Sequence, residues 1–403
     1  MPNKKIAIIG AGPCGIMSAI LLSKNPNFDI TLFEQNDKIG KKILISGNGK
    51  CNITNKYISI DNYQGSNQNL IKNVLNKLSF QELKSHLETL GLYIHSKENG
   101  QSYPLSDSSA SVVNVFMNAL NKPNIKTILE TKITNIKKNK TYELKDDNNK
   151  KYTFDNVILA NGSNAYPVLG GNSSGYEIAK SFGHTIKNTM PSLVGIEANI
   201  EYLKLLSGFK QKSEIKLFVN NKLSKTMTAD VLFTNYGLSG FGVFDITQYM
   251  DLKHKNHFEI NLFPEIKKEE FKSMISNIIV INKDASFELT LSGVLHKKLI
   301  KMIIKKFNIN SESKNKDIKE YLIDKIIDLL YRFRVDIDNT HGFKHSEVSN
   351  GGINSNEISN TLESLKSKGL YFGGEVLDVV GQRGGYNIHF AFASAFIISA
   401  SIL

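Results

Sequence analysis

A glycine-rich turn joins an apolar strand to a helix at the start of the chain. The apolar run Lys4–Ile9 is followed by Gly10, Gly12 and Gly15, and Glu34 closes a second strand-like run. In this spacing the first glycine permits a tight turn, the second lets backbone N–H groups approach a pyrophosphate, and the third lets the helix pack on the strand. The apolar strand, the helix and the acid all occur in the order and spacing of a dinucleotide site, which favours such a site over a glycine turn without a ligand.

The acid at the end of the second strand narrows the choice of ligand. The carboxylate of Glu34 can accept a hydrogen bond from a ribose hydroxyl but would repel a ribose phosphate, so the pattern favours FAD or NAD over NADP. The residues around the turn that we expect to contact the dinucleotide are Gly10, Gly12, Pro13, Cys14, Gly15, Glu34 and Gln35.

Length and composition indicate a folded protein with more than one domain. A chain of 403 residues can form two or three domains, each with its own core. Its two cysteines, Cys14 and Cys51, are too few for a disulfide framework. The sequence has no uninterrupted run of about 18 apolar residues, so it predicts no membrane helix. We therefore expect a cytoplasmic protein that does not enter the membrane.

Basic residues exceed acidic residues by a wide margin. The chain has 50 lysines and arginines against 38 aspartates and glutamates, a formal net charge of +12. Clustered cations bind phosphates, so this excess favours a nucleic-acid partner. Only three of the cations are arginines, and a coding bias that spreads lysine over the surface is the alternative explanation. If the charge is functional, we expect the lysine-rich segment Lys267 to Lys325 to contact RNA.

The order of strand-like and helix-like segments predicts an interrupted α/β domain. Strand-like and helix-like segments alternate at first, short β runs and then a helical stretch follow, and the chain ends on a buried-looking strand and a long apolar helix. This order predicts one α/β domain whose halves flank an inserted β domain, itself interrupted by helices. The expected boundaries are residues 1–190 with 341–403, residues 191–265 with 331–340, and residues 266–330.

Several motifs in order along the chain resemble those of one flavoprotein family. The stretch from Gly40 to Asn55, GKKILISGNGKCNITN, resembles the signature of the BaiN/RdsA-type flavoproteins, also called the YhiN family. Motifs at residues 175–184, 232–240, 369–378 and 384–387 extend the resemblance over nearly the full length. It implies FAD, a Rossmann-like FAD-binding domain made of the N- and C-terminal segments, an inserted β-barrel-like domain and a small helical domain.

FAD needs a second anchoring region, because its adenosine and flavin ends lie far apart. Glu375 and Asp378 follow a buried strand, where carboxylates can accept from ribityl hydroxyls, and Gly384 and Gly385 open the last helix. Backbone N–H groups at a helix N-terminus suit a flavin that becomes anionic on reduction. The alternative is that these glycines only form a turn and a cap. The further expected FAD contacts are Lys42, Ser46, Gly47, Asn48, Gly49, Ala160, Gly162, Gly374, Glu375, Asp378, Gly384, Gly385, Tyr386 and Asn387.

Cys51 is the candidate catalytic residue. The glycines of its loop permit close approach of the backbone to the flavin. A thiol with an ordinary pKa of about 8.5 is protonated at neutral pH and could deliver a proton to a substrate. The alternative role of Cys51 is that of a small buried side chain that helps the loop to pack.

Five residues are candidates for the substrate side of the site. Arg383 precedes the flavin-facing glycines and could stabilise an anionic flavin or bind a substrate phosphate, with an exposed loop cation as the alternative. Lys50 and Gln101 stand where the family has arginine. The full substrate-side set is Lys50, Tyr103, Asn235, Tyr236 and Arg383.

The histidines do not predict a metal site. No group of His, Asp and Glu has metal-ligand spacing, so no metal is expected. His184 and His389 are more simply explained as packed or surface imidazoles than as catalytic acids.

The family resemblance implies an FAD-dependent oxidoreductase that reduces an activated carbon–carbon double bond. Hydride would pass to the carbon β to a carbonyl, and an acid such as Cys51 would protonate the α carbon. The resemblance offers a uridine of large-subunit (23S) ribosomal RNA, giving dihydrouridine, and the positive charge favours this substrate; NADH or NADPH is the expected reductant. The alternatives are a flavin-dependent reductase or oxidase of a small molecule, such as a steroid enone or an amine, and a non-catalytic FAD-containing RNA-binding factor.

Overall fold

The chain divides into two compact units. The computed structural model describes residues 3–199, 202–310 and 312–403. The first unit comprises Met1–Pro191 and Glu347–Leu403, and the second comprises Ser192–Ser346. Residues 266–330 lie in the second unit together with its strands. Their separation as a third domain stays a prediction.

The first part of the chain is rich in short strands. Its strands are β1 (Lys4–Ile9), β2 (Phe28–Phe33), β3 (Thr54–Asn55), β4 (Tyr63–Gly65), β5 (Ile94–Ser96), β6 (Gln101–Pro104), β7 (Ile125–Ile128), β8 (Ile133–Lys138), β9 (Tyr142–Asp146), β10 (Lys151–Phe154), β11 (Asn156–Leu159) and β12 (Ile186–Ser192). Its helices are α1 (Pro13–Leu22), α2 (Lys41–Ile45), α3 (Gln68–Leu75), α4 (Phe80–Thr89), α5 (Ser109–Leu120) and α6 (Ser174–Ser181).

The second unit combines strands with most of the remaining helices. Its strands are β13 (Ile196–Glu197), β14 (Lys210–Val219), β15 (Lys222–Phe233), β16 (Gly237–Ser239), β17 (Asn256–Asn261), β18 (Phe333–Ile337) and β19 (Asn339–Thr340). Its helices are α7 (Leu203–Leu206), α8 (Phe241–Thr247), α9 (Lys268–Ile281), α10 (Phe287–Leu291), α11 (Lys297–Lys306) and α12 (Glu320–Tyr331). The chain then returns to the first unit with β20 (Val348–Ile353), β21 (Leu370–Phe372), β22 (Val379–Gly381) and α13 (Tyr386–Ile402).

A five-stranded parallel sheet forms the centre of the first unit. Its strand order is β21-β11-β1-β2-β7, with Ile6 opposite both Ile30 and Asn156. The central strands are buried almost throughout, as expected for a parallel sheet covered on both faces. Helices α1 and α13 pack against each other. The predicted α/β domain assembled from the two ends of the chain is confirmed, because β21 pairs with β11 through Leu159 and Phe372.

A seven-stranded sheet in the second unit is rolled so that its two edges meet. The strand order is β18-β17-β14-β15-β16-β13-β19. Although β18 and β19 lie at opposite edges, only Asp338 separates them in the chain. In a flat sheet these edges would lie roughly 30 Å apart, which two peptide units cannot span. The sheet therefore curls into the barrel-like form that the family resemblance implies.

The longest apolar helix of the chain is buried in the protein interior. Helix α13 has 17 residues, and most of its side chains are buried. Within the described residues, no helix has both the length and the apolar character needed to cross a bilayer.

Candidate cofactor-binding and active site

The three glycines of the first turn meet different surroundings. A Cβ at Gly10 would lie 2.4 Å from the Ala160 carbonyl oxygen, and a Cβ at Gly15 would lie 1.9 Å from the Gly10 carbonyl oxygen. These two glycines permit close packing of backbone on backbone. A Cβ at Gly12 would meet no heavy atom within 4 Å. Gly12 therefore faces open space at the N-terminus of α1, whose first N–H groups have no partner within the helix.

Glu34 is held beside this turn by backbone hydrogen bonds. Its Oε2 accepts from the N–H of Ala11 at 2.9 Å, and its Oε1 accepts from the N–H of Asn36 at 2.9 Å. The residue is 8% exposed. The next residue, Gln35, donates from its side chain to the Gly170 carbonyl oxygen at 2.5 Å. The carboxylate is thus fixed at the carboxyl end of β2, next to the start of α1.

Glu375 joins three segments that are distant in sequence. The ammonium of Lys42 and the hydroxyl of Ser163 each lie 2.6 Å from one oxygen of its carboxylate. The N–H of Ser349 donates to Oε1 at 3.2 Å. The predicted residues Lys42 and Glu375 therefore lie together, and Ser163 joins them.

The second helix N-terminus also depends on glycine. Gly384 and Gly385 have φ values of +120° and +97°, and a Cβ at Gly385 would lie 2.3 Å from the carbonyl oxygen of Thr54. The side chain of Asn387 accepts from the Gly381 N–H and donates to its carbonyl oxygen, both at 2.8 Å. These two hydrogen bonds between Asn387 and Gly381 stabilise the turn before α13.

Asp378 already has partners within the protein. Its carboxylate accepts from the Ser66 hydroxyl and, at 2.8 Å, from the Ser355 N–H. These bonds tie three segments of the first unit together. They support a positioning role, while the predicted contact of Asp378 with FAD stays a prediction.

The remaining predicted cofactor residues lie in the turns and helix ends of the first unit. Ala160 follows β11, Gly162 has φ +75° and open space around it, and Gly374 begins a short 3₁₀ turn with φ +72°. Cys14 and Tyr386 are buried at the starts of α1 and α13. Their contacts with the cofactor stay predictions.

The loop between α2 and β3 curls through left-handed conformations. Gly47, Asn48, Gly49 and Cys51 have φ values of +57°, +56°, +80° and +60°. Positions 47–50 are exposed, whereas Ser46 donates from its hydroxyl to the Ile43 carbonyl oxygen at 2.8 Å. The loop therefore exposes backbone at its two glycines and exposes the side chains of Asn48 and Lys50 between and after them.

Cys51 ends this exposed loop but is itself buried. The residue is 1% exposed, and burial raises the pKa of its thiol to about 12, against a hydrogen bond with Ser46 that lowers it. The thiol is therefore protonated at neutral pH, as a proton donor must be. Its burial equally suits the packing alternative, so the catalytic role of Cys51 stays a prediction.

A polar cluster surrounds Tyr103 beside the glycine loop. A Cβ at Gly47 would lie 3.2 Å from the Tyr103 ring, and the Tyr103 hydroxyl donates to Oε1 of Gln101 at 3.1 Å. Burial raises the pKa of the Tyr103 hydroxyl, whereas the charges of Arg383 and Lys50 lower it. Three of the predicted substrate-side residues, Lys50, Tyr103 and Arg383, therefore belong to one electrostatic environment.

The cluster continues towards solvent through Asp107. Its carboxylate lies 3.0 Å from the ammonium of Lys50 and 3.2 Å from Nε2 of His95. The side chains of Lys50, Asp107 and His95 are about half exposed, so their contacts lie at the protein surface and are not buried ion pairs.

Asn235 and Tyr236 lie in the second unit, in the turn before β16. Asn235 is exposed, and Tyr236 stacks on His341 with ring centroids 4.1 Å apart. The ring of His341 in turn stacks on His345 at 4.2 Å. Assignment of Asn235 and Tyr236 to the substrate side stays a prediction.

Sequence reasoning missed several residues that hold the site. Gln101 receives the Tyr103 hydroxyl, and Asn55 donates to the Gly384 carbonyl oxygen at 3.0 Å. Ser163 bonds to Glu375. Only their positions in the sequence could have indicated these residues. Asn55 ends the glycine-loop motif, Gln101 occupies a family arginine position, and Ser163 follows the glycine after β11.

The two histidines considered as possible acids are packed imidazoles. Nδ1 of His389 lies 2.8 Å from the Thr54 hydroxyl and Nε2 lies 2.9 Å from the Leu78 carbonyl oxygen. Burial lowers the pKa of His389 to about 4. His184 contacts Glu357 and Ser364. Among the described residues, no group of three or more His, Cys, Asp or Glu side chains is arranged to hold a metal ion.

Several features of the first unit suit an FAD molecule. A Cβ added at Gly12, Gly49 or Gly162 would meet no heavy atom within 4 Å, so open space lies beside each of these glycines. In the described chain, Oδ1 of Asn161 is buried without a hydrogen-bond partner next to Gly162. Two helix N-termini without side-chain caps, at α1 and α13, supply N–H donors. Open backbone donors and a fixed ribose acceptor form a suitable cradle for a dinucleotide.

Comparison with known proteins agrees with this assignment over the whole length. The family model described as HI0933-like protein Rossmann domain matches residues 4–401. The ribosomal RNA dihydrouridine synthase of Escherichia coli (strain K12) is 30% identical over 401 residues, which cover 98% of this chain and 97% of that protein. The 3-dehydro-bile acid delta(4,6)-reductase of Clostridium scindens is 29% identical over 403 residues, with the same coverage of 98% and 97%.

The fold is also found among solved structures. The 3-ketosteroid delta1-dehydrogenase from Sterolibacterium denitrificans, solved with 1,4-androstadiene-3,17-dione, aligns over 100% of both chains with a TM-score of 0.50 and 10% identity. At this identity the likeness concerns the fold alone. The predicted resemblance to the BaiN/RdsA-type flavoproteins and the predicted FAD cofactor are confirmed. The chain belongs to the HI0933-like family and is an FAD-dependent oxidoreductase.

Proposed function

We propose that this protein reduces a uridine of large-subunit (23S) ribosomal RNA to dihydrouridine, with NADH or NADPH as the electron donor. The observation that carries the proposal is the full-length match, at 30% identity, to a relative named ribosomal RNA dihydrouridine synthase. A second relative with that name, from Haemophilus influenzae, is 29% identical over 402 residues. Ribosomal RNA lies in the cytoplasm, which is where we propose that the protein acts.

The chemistry of uracil explains why the Tyr103 cluster suits this reaction. FAD, when bound and reduced, supplies a hydride for the carbon β to a carbonyl group. Negative charge then develops on that carbonyl oxygen, and fixed donors or cations near it lower the barrier. Lys50 and Arg383 both act on the Tyr103 hydroxyl electrostatically. We assign the stabilisation of this oxygen to these three residues.

The reaction also requires a proton at the α carbon. The thiol of Cys51 carries its proton at neutral pH, because burial raises its pKa to about 12. A group with so high a pKa donates its proton only to a strongly basic carbon, such as the one formed when hydride adds to an enone. We propose Cys51 for this step.

The charge of the chain favours RNA over a small apolar substrate. A net charge of +12 attracts a polyanion and has no use in binding a steroid. A uridine inside folded RNA must leave its stack to meet a flavin, so a cationic surface that holds the flanking strand would assist the reaction.

A small-molecule enone reductase is the second candidate. The Clostridium scindens relative, named a bile acid reductase, is as similar to this chain as the RNA-modifying relatives are. Both kinds of name describe addition of hydrogen across a carbon–carbon double bond, so the active-site cluster serves either substrate.

Mass mapping of dihydrouridine in ribosomal RNA separates these functions. RNA from cells that lack the gene should lose one or more dihydrouridines, and the intact gene should restore them. A gene for the Gly12→Ala variant, expected to lose FAD, is the matched control and should not restore them. Unchanged dihydrouridine, together with turnover of a 3-oxo-4,6-diene steroid by the purified holoenzyme, would establish the second candidate. Unchanged dihydrouridine with RNA binding alone would indicate a non-catalytic factor.

A further inference from the structure

Helix α11 carries an unusual density of positive charge. Its ten residues, KKLIKMIIKK, include five lysines and no acidic residue. The apolar side chains Leu299, Ile300, Met302 and Ile303 are buried. The helix therefore has one face committed to the core of its unit and one basic face.

Three of the lysines form a stripe along the exposed face. Lys297, Lys301 and Lys305 are all exposed and follow one another at intervals of four residues. This interval places successive side chains on the same face, about 6 Å apart along the helix axis. The other two lysines make contacts within the unit: Lys298 donates to the Ser207 carbonyl oxygen, and Lys306 lies 5.1 Å from the centre of the Tyr202 ring.

The stripe differs from three other lysines of the same segment, which are paired with carboxylates. Lys268 lies 2.5 Å from Asp328, Lys272 lies 2.5 Å from Asp324, and Lys316 lies 2.9 Å from Asp284. In the described parts of the chain, no carboxylate lies within ion-pair distance of Lys297, Lys301 or Lys305. A coding bias towards lysine explains abundance, but it does not explain why Lys297, Lys301 and Lys305 form one exposed row on a helix that contains no acidic residue.

We infer that the Lys297, Lys301 and Lys305 stripe binds the phosphate backbone of the RNA substrate. Evenly spaced, unpaired ammonium groups suit a row of phosphates, because each contact releases a counterion. A membrane surface is a poorer partner, because a membrane-bound helix inserts its apolar face, and that face of α11 is buried in the unit. The inference rests on the proposed function and narrows the RNA contact within Lys267–Lys325 to one helix face.

Two charge-matched triple variants test the inference. In the stripe variant, Lys297, Lys301 and Lys305 become Gln; in the control variant, Lys268, Lys272 and Lys316 become Gln. Both lose three positive charges. The full-length holoenzyme is titrated with an in vitro transcript of large-subunit ribosomal RNA at several salt concentrations, and dihydrouridine formation is measured on the same transcript.

We expect the stripe variant to bind RNA more weakly and to lower the slope of log affinity against log salt by roughly 2 to 3. The control variant should keep nearly the slope of the unmodified protein. Both should retain FAD and reduce an artificial electron acceptor with NADH or NADPH at the unmodified rate. A version with arginine at all three stripe positions should restore RNA binding.

The outcomes distinguish failure of this inference from failure of the proposed function. Equal slopes for the stripe and control variants would overturn the inference, even if the unmodified protein forms dihydrouridine. Absence of both RNA binding and dihydrouridine from the unmodified holoenzyme would overturn the proposed function, and the inference with it.

Discussion

The ammonium of Lys42 lies 2.6 Å from the carboxylate of Glu375, although 333 positions separate the two residues in the chain. The contact joins the segment after the first dinucleotide turn to the segment before the last helix. Ser163 donates to the same carboxylate at 2.6 Å. Helix α2 is thereby tied to the segments that follow β11 and β21, at the place where FAD is expected.

Replacing Glu375 should therefore destabilise the first unit. Glu375→Ala leaves the Lys42 ammonium and the Ser163 hydroxyl without their acceptor, and we expect a loss of about 2 kcal/mol in the free energy of unfolding. Urea unfolding of the FAD-free protein measures it. The control is Glu143→Ala, which removes the exposed pair with Lys151 and should cost less than about 1 kcal/mol. Equal losses would show that Glu375 contributes no more than a surface pair.

Two neighbouring glycines should fail in different ways when they become alanine. A Cβ at Gly15 would lie 1.9 Å from the Gly10 carbonyl oxygen, so Gly15→Ala should lower the free energy of unfolding by about 3 kcal/mol. A Cβ at Gly12 meets no atom within 4 Å, so Gly12→Ala should cost less than about 1 kcal/mol yet abolish retention of FAD. Unfolding of the FAD-free protein and the flavin content after purification separate the two effects. Full flavin content in Gly12→Ala would place the pyrophosphate elsewhere.

Cys51→Ala should keep FAD and slow product formation. Removal of a general acid costs about 10²- to 10⁴-fold in rate, and Cys51→Ser, which keeps a proton on the side chain, should lose less. Because burial raises the thiol pKa to about 12, the rate of the unmodified enzyme should show no loss from thiol ionisation between pH 7 and 9. Single-turnover oxidation of the reduced enzyme by substrate measures the rate. Full activity in Cys51→Ala would assign the thiol to packing.

Acid should weaken the fold through His389. Burial lowers its pKa to about 4 in the folded protein, from 6.5 when exposed. Below pH 6.5 the unfolded chain binds a proton that the folded chain excludes, so stability falls as the pH decreases. Between pH 7 and pH 5 the loss from this residue should be about 2 kcal/mol.

The variant His389→Gln tests that expectation. A glutamine can accept from Thr54 and donate to Leu78, yet it does not titrate, so the pH dependence of urea unfolding should flatten. The same pH dependence in His389→Gln and in the unmodified protein would rule out His389 as its source.

The sequence alone determined the dinucleotide turn and the α/β character of the first unit. These features are local: the spacing of Gly10, Gly12 and Gly15, the apolar strand before them and Glu34 after them follow from the geometry of one strand–helix–strand unit. The positions of the glycines that open α13 were likewise readable, because a left-handed turn favours glycine wherever it occurs.

Tertiary structure alone decided which residues meet at the site. Asn55 reaches Gly384 and Lys42 reaches Glu375 because the fold brings together segments that lie 329 and 333 positions apart in the chain. It also separated the lysine row of α11 from the ion-paired Lys268 and Lys272 of α9, which composition cannot do. Such contacts depend on the packing of elements hundreds of residues apart, and no local pattern in the chain encodes them.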